Sequence, residues 1–514
     1  MVAAGFSGGG SLPGAWAGDA VDSAAVMSIT VGELHDAVAF LADDALEGRE
    51  AGKPGGLAAG EYLRGELEKL GLHPAGSDGF FQPFGDGYRN LLAEWPADAA
   101  HDAEIIVVGA HYDHVGYGVV WNVRDEPGTI HNGADDNASG TSALLEIAEA
   151  FTLLARPTRR KVLFAFWDAE EKGLLGSKHW VENPTRPLDK VRFLVNMDMI
   201  GRLRDDRVEL YGIRSSYGLR EMLAGLNRAA DLRLDYSWWN RRDTDHAPFF
   251  RKNVPYLLFH TGMHEDYHSA TDDTEKINVE GMEAVTRLVF ELAVTLADRE
   301  EPMAFRAASK DESAKDWDAL LTQPKPWRDR TGMVTEDVPP PESGGLAVRI
   351  AEVRPDSPAA RAGLEAGWFV ETADGVPVPS SERLTAVLLL ARRPAVRLTL
   401  SSADGARAER DLVLEGEPLR LGMQWQPDDA EPRGVLVTHV LVGSPAEQAG
   451  VRAGDYIFAV NGEPLSEPHR FDEVIARTES PFTLLVDRQG RLKTVTVGDS
   501  TGRAGNAAPS PPGA

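Results

Sequence analysis

Five short clusters of His, Asp and Glu recur between residues 111 and 268, four of them after a short apolar run and one, at His131–Asn137, just before a helix. They are His111-Tyr112-Asp113-His114, His131-Asn132-Gly133-Ala134-Asp135-Asp136-Asn137, Asp168-Ala169-Glu170-Glu171, Asn196-Met197-Asp198-Met199 and His264-Glu265-Asp266-Tyr267-His268. Imidazole and carboxylate are the donors that zinc and similar divalent ions take. His111 and Asp113 are two apart and share one side of an extended chain, where a carboxylate can fix the tautomer of a ligating imidazole. Adjacent Glu170 and Glu171 repel unless a proton or a cation compensates. One as a metal ligand and the other as a general base accounts for the pair. Asp198 is a charge inside an apolar run and needs a partner. Each cluster alone also fits something plainer: a polar strand end, charge complementation at a helix start for Asp135 and Asp136, a solvated acidic loop, a buried salt bridge, or a turn with surface histidines. Five in order, four at strand-to-loop junctions and one at a helix start, fit a divalent-metal centre better.

Those junctions imply the elements that must hold them. Continuous apolar runs at Glu104–Ala110, Lys161–Trp167, Val191–Met197 and Val254–Phe259 alternate with helical stretches such as Ser142–Leu154 and Val279–Leu296. Unbroken apolar strands between helices predict an α/β fold, a mostly parallel sheet sandwiched by helices. Ligands gather beyond the carboxyl ends of such strands, where all five clusters lie. Upstream, Thr30 followed by Glu33 reads as a capping box opening a helix, and Gly56–Leu70 reads as a second helix stopped by Gly71.

A chain of 514 residues exceeds one core, and about three domains are expected. Residues 1–27 and 500–514 are rich in small residues and are expected to be disordered. Residues 28–300 form the first domain, 301–328 a polar linker, and 329–415 and 416–499 two further domains. The last two follow from an internal repeat: Ser357–Val378 matches Ser444–Leu465, and Gly363, Gly367 and Gly375 align with Gly450, Gly454 and Gly462. The net charge of −27 argues against a nucleic-acid partner or an anionic lipid surface. With no cysteine, thiolate metal sites and disulfides are excluded. No apolar stretch is long enough to span a membrane, the N-terminus lacks the pattern of a signal peptide, and no Gly-x-Ser-x-Gly elbow is present.

The ordered segments FLADDALEGREAGKPGG, VVGAHYDHVG, HNGADDNASG, FAFWDAEEKGLLGS, NMDMIGR, TDHAPFF and DYHSATDDTEKIN, spanning about residues 38–298, resemble the M28 family of zinc-dependent peptidases. The resemblance implies a hydrolase holding two zinc ions, or other divalent metals. His111 and Asp198 would each bind one zinc, Glu171 and His268 the other, and Asp135 would bridge them ahead of a cis peptide at Asp135–Asp136. Glu170 would be the general base and Asp113 the partner of His111, with Tyr267 and His246 as substrate contacts. The implied activity is removal of N-terminal residues from peptide substrates. Alternatives on the same fold are a carboxypeptidase or a glutaminyl cyclase-like acyltransferase, and a non-catalytic peptide-binding scaffold is a third. Related proteins are commonly exported or periplasmic. The two repeats resemble small β-rich PDZ domains, with Leu421-Gly422-Met423 in the second and Gly332-Met333 in the first as loops that would hold the carboxylate of a peptide or protein C-terminus.

Overall fold

The computed structural model describes residues 23–98, 104–118, 123–125, 127–339 and 347–498. The sequence expectations for residues 1–22 and 500–514 lie outside these; residues 23–28, within the stretch expected to be disordered, form a helix, α1 (Ser23–Ser28). The chain divides into two units. One comprises residues up to Trp317 together with Asp429–Pro432 and Gln489–Leu492; the other holds the rest.

The first unit is built on a nine-stranded sheet. Its strands are β1 (His73–Pro74), β2 (Phe81–Phe84), β3 (Tyr88–Trp95), β4 (Ile105–His111), β5 (Lys161–Trp167), β6 (Val191–Met197), β7 (Arg207–Tyr211), β8 (Arg233–Tyr236) and β9 (Tyr256–His260), in the order β1-β3-β5-β4-β6-β9-β7-β8, with β2 on β3. The centre, β5-β4-β6-β9, is parallel. The flanks are not: β3 runs antiparallel to β5, and β7 antiparallel to β9. The sheet is therefore mixed, and its parallel part is the part that carries the clusters.

Both faces of the central strands are buried, which is why they read as unbroken apolar runs. Along β4, Ile106, Val108 and Ala110 enter one core, and Ile105 and Val107 the other, as side-chain alternation requires. The first core is covered by α2 (Val31–Leu41), α3 (Pro54–Lys69), α4 (Gly140–Thr152), α6 (Leu219–Leu226) and α8 (Val279–Asp298). The second is covered by α5 (Leu175–Glu182) and α7 (His246–Arg251), where Trp180 lies 6.2 Å from Trp167 and 5.4 Å from Phe249, ring centre to ring centre. Thr30 caps α2, accepting from the Glu33 amide and donating to the Glu33 carboxylate. Residues 301–328, expected as a linker, carry a 3-10 turn and α9 (Ala314–Thr322). Buried Arg306 there pairs with Glu312 at 2.6 Å, and Glu312 pairs with Arg214 at 2.7 Å.

The second unit contains two six-stranded antiparallel sheets of identical order. In the first, β10 (Met333–Val338), β11 (Ala347–Val353), β12 (Phe369–Ala373), β14 (Ala395–Ser401) and β15 (Arg407–Val413) follow one another, with β13 (Val376–Pro377) on β12. In the second, β16 (Met423–Asp428), β17 (Glu431–Val440), β18 (Tyr456–Val460), β20 (Phe482–Arg488) and β21 (Arg491–Val497) do the same, with β19 (Glu463–Pro464) on β18. The repeated SPA motif opens a short helix in both, each capped by its serine: Ser357 accepts from Ala360 N, and Ser444 from Glu447 N.

Candidate active site

The clusters meet at the carboxyl ends of β4, β5, β6 and β9. His111 ends β4. Its Nδ1 lies 3.1 Å from the Asp113 backbone oxygen and 3.7 Å from the Asp113 carboxylate. With Nδ1–H donated to that carbonyl, the Nε2 lone pair faces inward. There it lies 3.4 Å from Asp136 Oδ1 and 3.5 Å from Asp198 Oδ1. On the other side of the same carboxylate, His268 Nε2 is 3.1 Å from Asp136 Oδ2 and 3.1 Å from Glu171 Oε2. Two groups of possible metal donors result, His111–Asp136–Asp198 and His114–Asp136–Glu171–His268, with Asp136 common to both.

The central carboxylate is therefore Asp136, and the sequence expectation of Asp135 is corrected. Asp135 points away. Its Oδ1 accepts from Gly201 N at 2.6 Å and from the Ser139 hydroxyl at 3.1 Å, and its Oδ2 lies 3.1 Å from His264 Nε2. The cis peptide, too, falls one residue later, at Asp136–Asn137. Nothing in the local sequence separates two adjacent aspartates; partners far along the chain decide which one turns inward.

The backbone around the site is held by side chains that bridge the loops. Asp272 Oδ2 accepts from the amides of Asp135 and Asp136 at 2.9 and 3.1 Å. Asn137 donates to the Met197 carbonyl and accepts from the Met199 amide, tying the Asp136 turn to the Asp198 loop. Asp113 accepts from the amides of Glu170 and Glu171 at 3.0 and 3.3 Å. Its carboxylate thus positions the Glu170-Glu171 loop, and it is the Asp113 carbonyl that meets His111. Arg49, fully buried, donates to the carbonyls of Leu41, Tyr112, Asn132 and Gly133, joining the first two clusters from behind. Burial lowers its pKa to about 10, opposed by Asp136, Asp113, Asp272 and Glu171, so it stays charged.

The electrostatics are those of carboxylates and imidazoles packed against one another out of water. Burial would raise the Asp136 carboxyl, but contacts with His111 and His268 hold it well below the ordinary range. Burial works against a proton on His268, yet Asp136 and Glu171 push its pKa up to about 11. Protons and a divalent cation compete for such a set. Buried carboxylates at this density demand compensation, and the donor types suit zinc. Around a tetrahedral zinc with bonds of about 2.0–2.1 Å, neighbouring donors sit about 3.3–3.4 Å apart, and the spacings above bracket that value. The residues present fit the metal.

Glu170 stands beside this set without belonging to either donor group. Burial pushes its carboxyl well above the ordinary range; the His111 ring opposes this, and Glu171, Asp245 and Asp198 add to it. Tyr267 stacks on His268 with ring centres 3.9 Å apart. His246 is fully buried, stacked on Tyr256 at 4.2 Å with Nε2 2.6 Å from the Arg241 carbonyl. Those contacts hold the ring in the packing of α7, with Nδ1 buried and unpartnered among the described residues.

In the second unit, Gly332 and Gly422 each precede the first strand of a sheet at φ +70°. A Cβ on Gly422 would come within 2.4 Å of Ser444 Cβ, so the loop needs glycine there. In the first sheet Asp329 Oδ1 already accepts from the amides of Thr331 and Gly332 at 2.7 and 2.9 Å, and Met333 N bonds Thr331 Oγ1. The amides of Gly332 and Met333, expected to hold an incoming carboxylate, are both engaged within the chain: Gly332 N bonds Asp329 Oδ1 and Met333 N bonds Thr331 Oγ1. A cleft of about 360 Å³ beside β10 is lined by Arg328, Thr331, Met333, Leu384 and Leu388, among others. Leu421 and Met423 are buried, and the Leu421 carbonyl accepts from Ala446 N.

Sequence reasoning missed Asp136, His114, Asp272 and Arg49 as parts of the site. All four lie inside the segments that carry the resemblance, but only their partners across the sheet reveal what they do.

The model of Peptidase family M28 matches residues 90–293, and a PDZ domain model matches residues 436–488. Leupeptin-inactivating enzyme 1 of Streptomyces exfoliatus is 29% identical over 214 residues, 40% of this chain and 43% of that protein. Aminopeptidase YwaD of Bacillus subtilis is 30% identical over 196 residues, 36% of this chain and 40% of that protein. The chain thus spans about two fifths of the length of these curated relatives. The crystal structure of Legionella pneumophila LapA aminopeptidase aligns with 23% identity and a TM-score of 0.46, covering 54% of this chain and 74% of that one. The chain thus matches the model of Peptidase family M28 over residues 90–293 and that of a PDZ domain over residues 436–488.

Proposed function

We propose that this chain is a two-zinc metallopeptidase that removes N-terminal residues from peptides. The observation that carries the reading is Asp136, whose two carboxylate oxygens face separate His-carboxylate groups. His111, Asp136 and Asp198 would hold one ion, and Asp136, Glu171 and His268 the other. Divalent ions bound by these residues would supply Lewis acidity toward a carbonyl and would lower the pKa of water. Glu170 is the proton carrier. Beside both donor groups but in neither, it would accept a proton from the attacking water and deliver it to the leaving amine. Asp113 and the Ala169 backbone (φ +56°) fix that carboxyl in place. Tyr267, stacked on a ligand histidine, meets the substrate. In the second unit, the Leu421-Gly422-Met423 loop captures a peptide carboxylate, the peptide adding as a strand beside β16.

The test is release of p-nitroaniline from a panel of aminoacyl-p-nitroanilides before chelation, after it, and after zinc is restored. Cleavage lost to chelator, regained with zinc and prevented by N-acetylation supports the reading. Chelator-insensitive cleavage, or equal cleavage of acetylated substrates, overturns it.

A further inference from the structure

The two donor groups sharing Asp136 are unequal. The His111 side offers three side chains, whereas the Glu171 side offers four, because His114 joins it. His114 follows the strand that His111 ends, and its ring is fully buried. Its Nδ1 lies 3.0 Å from Glu171 Oε1 and 3.9 Å from Asp136 Oδ2. His268 Nε2 stands 3.1 Å from the other oxygen of Glu171 and 3.1 Å from the same oxygen of Asp136. Imidazole nitrogens from two different loops thus converge on the same two carboxylates. A hydrogen bond to Glu171 would account for the first His114 distance. It gives no reason for the nitrogen to face Asp136 as well. The two distances, 3.0 and 3.9 Å, lie on either side of the tetrahedral donor spacing of about 3.3–3.4 Å.

The ring is also locked where it is. The His114 amide bonds the Arg49 carbonyl at 3.2 Å. The backbone of Gly133 lies so close that a Cβ there would come within 2.4 Å of His114 Cδ2. The far nitrogen, Nε2, is buried and has no hydrogen-bond partner among the described residues. This ring therefore has no polar contact on its outer side to explain its burial, and all its polar contacts point into the cage.

We propose that His114 is a fourth protein ligand, which closes the Glu171–His268 metal position and leaves the His111–Asp198 position as the open one. The inference rests on the two-metal reading above. A closed four-donor position resembles a structural zinc site, and a three-donor position keeps room for water or substrate. The first zinc taken up then fills the closed position, and the second exchanges more readily.

Zinc K-edge absorption fine structure of the full chain at one and at two equivalents of zinc tests this, with His114→Ala alongside. The wild type should show two imidazoles on the first zinc, falling to one in His114→Ala, and affinity for that first equivalent should weaken by about 10–100-fold. An imidazole count per zinc that is the same in wild type and His114→Ala at both loadings overturns the proposal, and His114 then only orients Glu171. The wild-type count at one equivalent decides the matter if the variant does not fold: one imidazole there overturns the closed position. Failure of the two-metal reading looks different, since the wild type would then take up no second zinc at all.

Discussion

The two units handle buried polar groups in opposite ways. In the first, carboxylates and imidazoles are gathered at the ends of four parallel strands, and the backbone around them is tied by Asp272, Asn137, Asp113 and Arg49 so that side chains face inward. In the second, the buried polar side chains serve the chain itself. Arg330 donates to the carbonyls of Leu388 and Ala391 at the end of one helix, and Arg420 donates to the Ile475 and Thr478 carbonyls at the end of the equivalent helix. Among the described residues, candidate metal groups occur in the first unit alone. Carboxylates and imidazoles converging on one point mark chemistry, whereas a cation spent on carbonyls, as at Arg49, Arg330 and Arg420, holds backbone in place. The contrast recurs within the second unit, where Asp329 fills one loop's amides.

The sharpest way to break this comparison is Glu170→Gln. The substitution keeps shape and removes the proton carrier, so kcat should fall by about 10²–10⁴-fold with zinc content unchanged. Steady-state kinetics beside metal analysis would show it, and substantial residual turnover would detach Glu170 from the chemistry. Next in size is the adjacent pair. Asp136→Asn should abolish binding of the second zinc and weaken the first by at least about 100-fold. Asp135→Asn, acting through Gly201, Ser139 and His264, should cost about tenfold in zinc titrations. Equal effects would erase the distinction between them.

A third prediction uses a buried acid that no cation faces. Glu146 on α4 is 4% exposed and its Oε2 has no hydrogen-bond partner. Burial, with Glu33 and Glu149 adding, pushes its pKa from 4.5 to about 8. Between those values the folded protein keeps a proton that the unfolded chain has released. Stability therefore falls as pH rises through that window and stays lowered above it. Glu146→Gln should stabilise the first unit by on the order of 2 kcal/mol at pH 9 and by little at pH 4.5, read from denaturant unfolding at the two pH values. A pH-independent effect would contradict this. The smallest effect on chemistry is expected from Gly422→Ala. Crowding Ser444 should weaken capture of a free peptide C-terminus in the second unit while turnover of a short anilide stays within about twofold. A large change in that turnover would mean the units do not divide their work as argued here.

Much of this was legible in the sequence because it rests on local rules. The central strands declared themselves as apolar runs of five to seven residues, since both faces are buried. The Thr30–Glu33 cap and the repeated SPA motif were readable because capping is decided within four residues. The antiparallel flanks β3 and β7 were not, because strand direction is set by pairing across the sheet. Asp136 was missed in favour of Asp135 for the same reason: what separates them is contact with Gly201, His264 and Asp272, residues 66, 129 and 137 positions along the chain from Asp135. The stacking of His246 on Tyr256 and its contact with the Arg241 carbonyl were equally hidden, because both partners come from packing rather than from its motif.

The central claim is that one carboxylate, Asp136, joins two metal positions. Anomalous diffraction at the zinc edge from zinc-loaded crystals tests it most directly. The account predicts two peaks about 3.5–4 Å apart, one on each side of the Asp136 carboxylate, the first beside Glu171 and His268 and the second beside His111 and Asp198. A single peak, or peaks flanking Asp135, would contradict it.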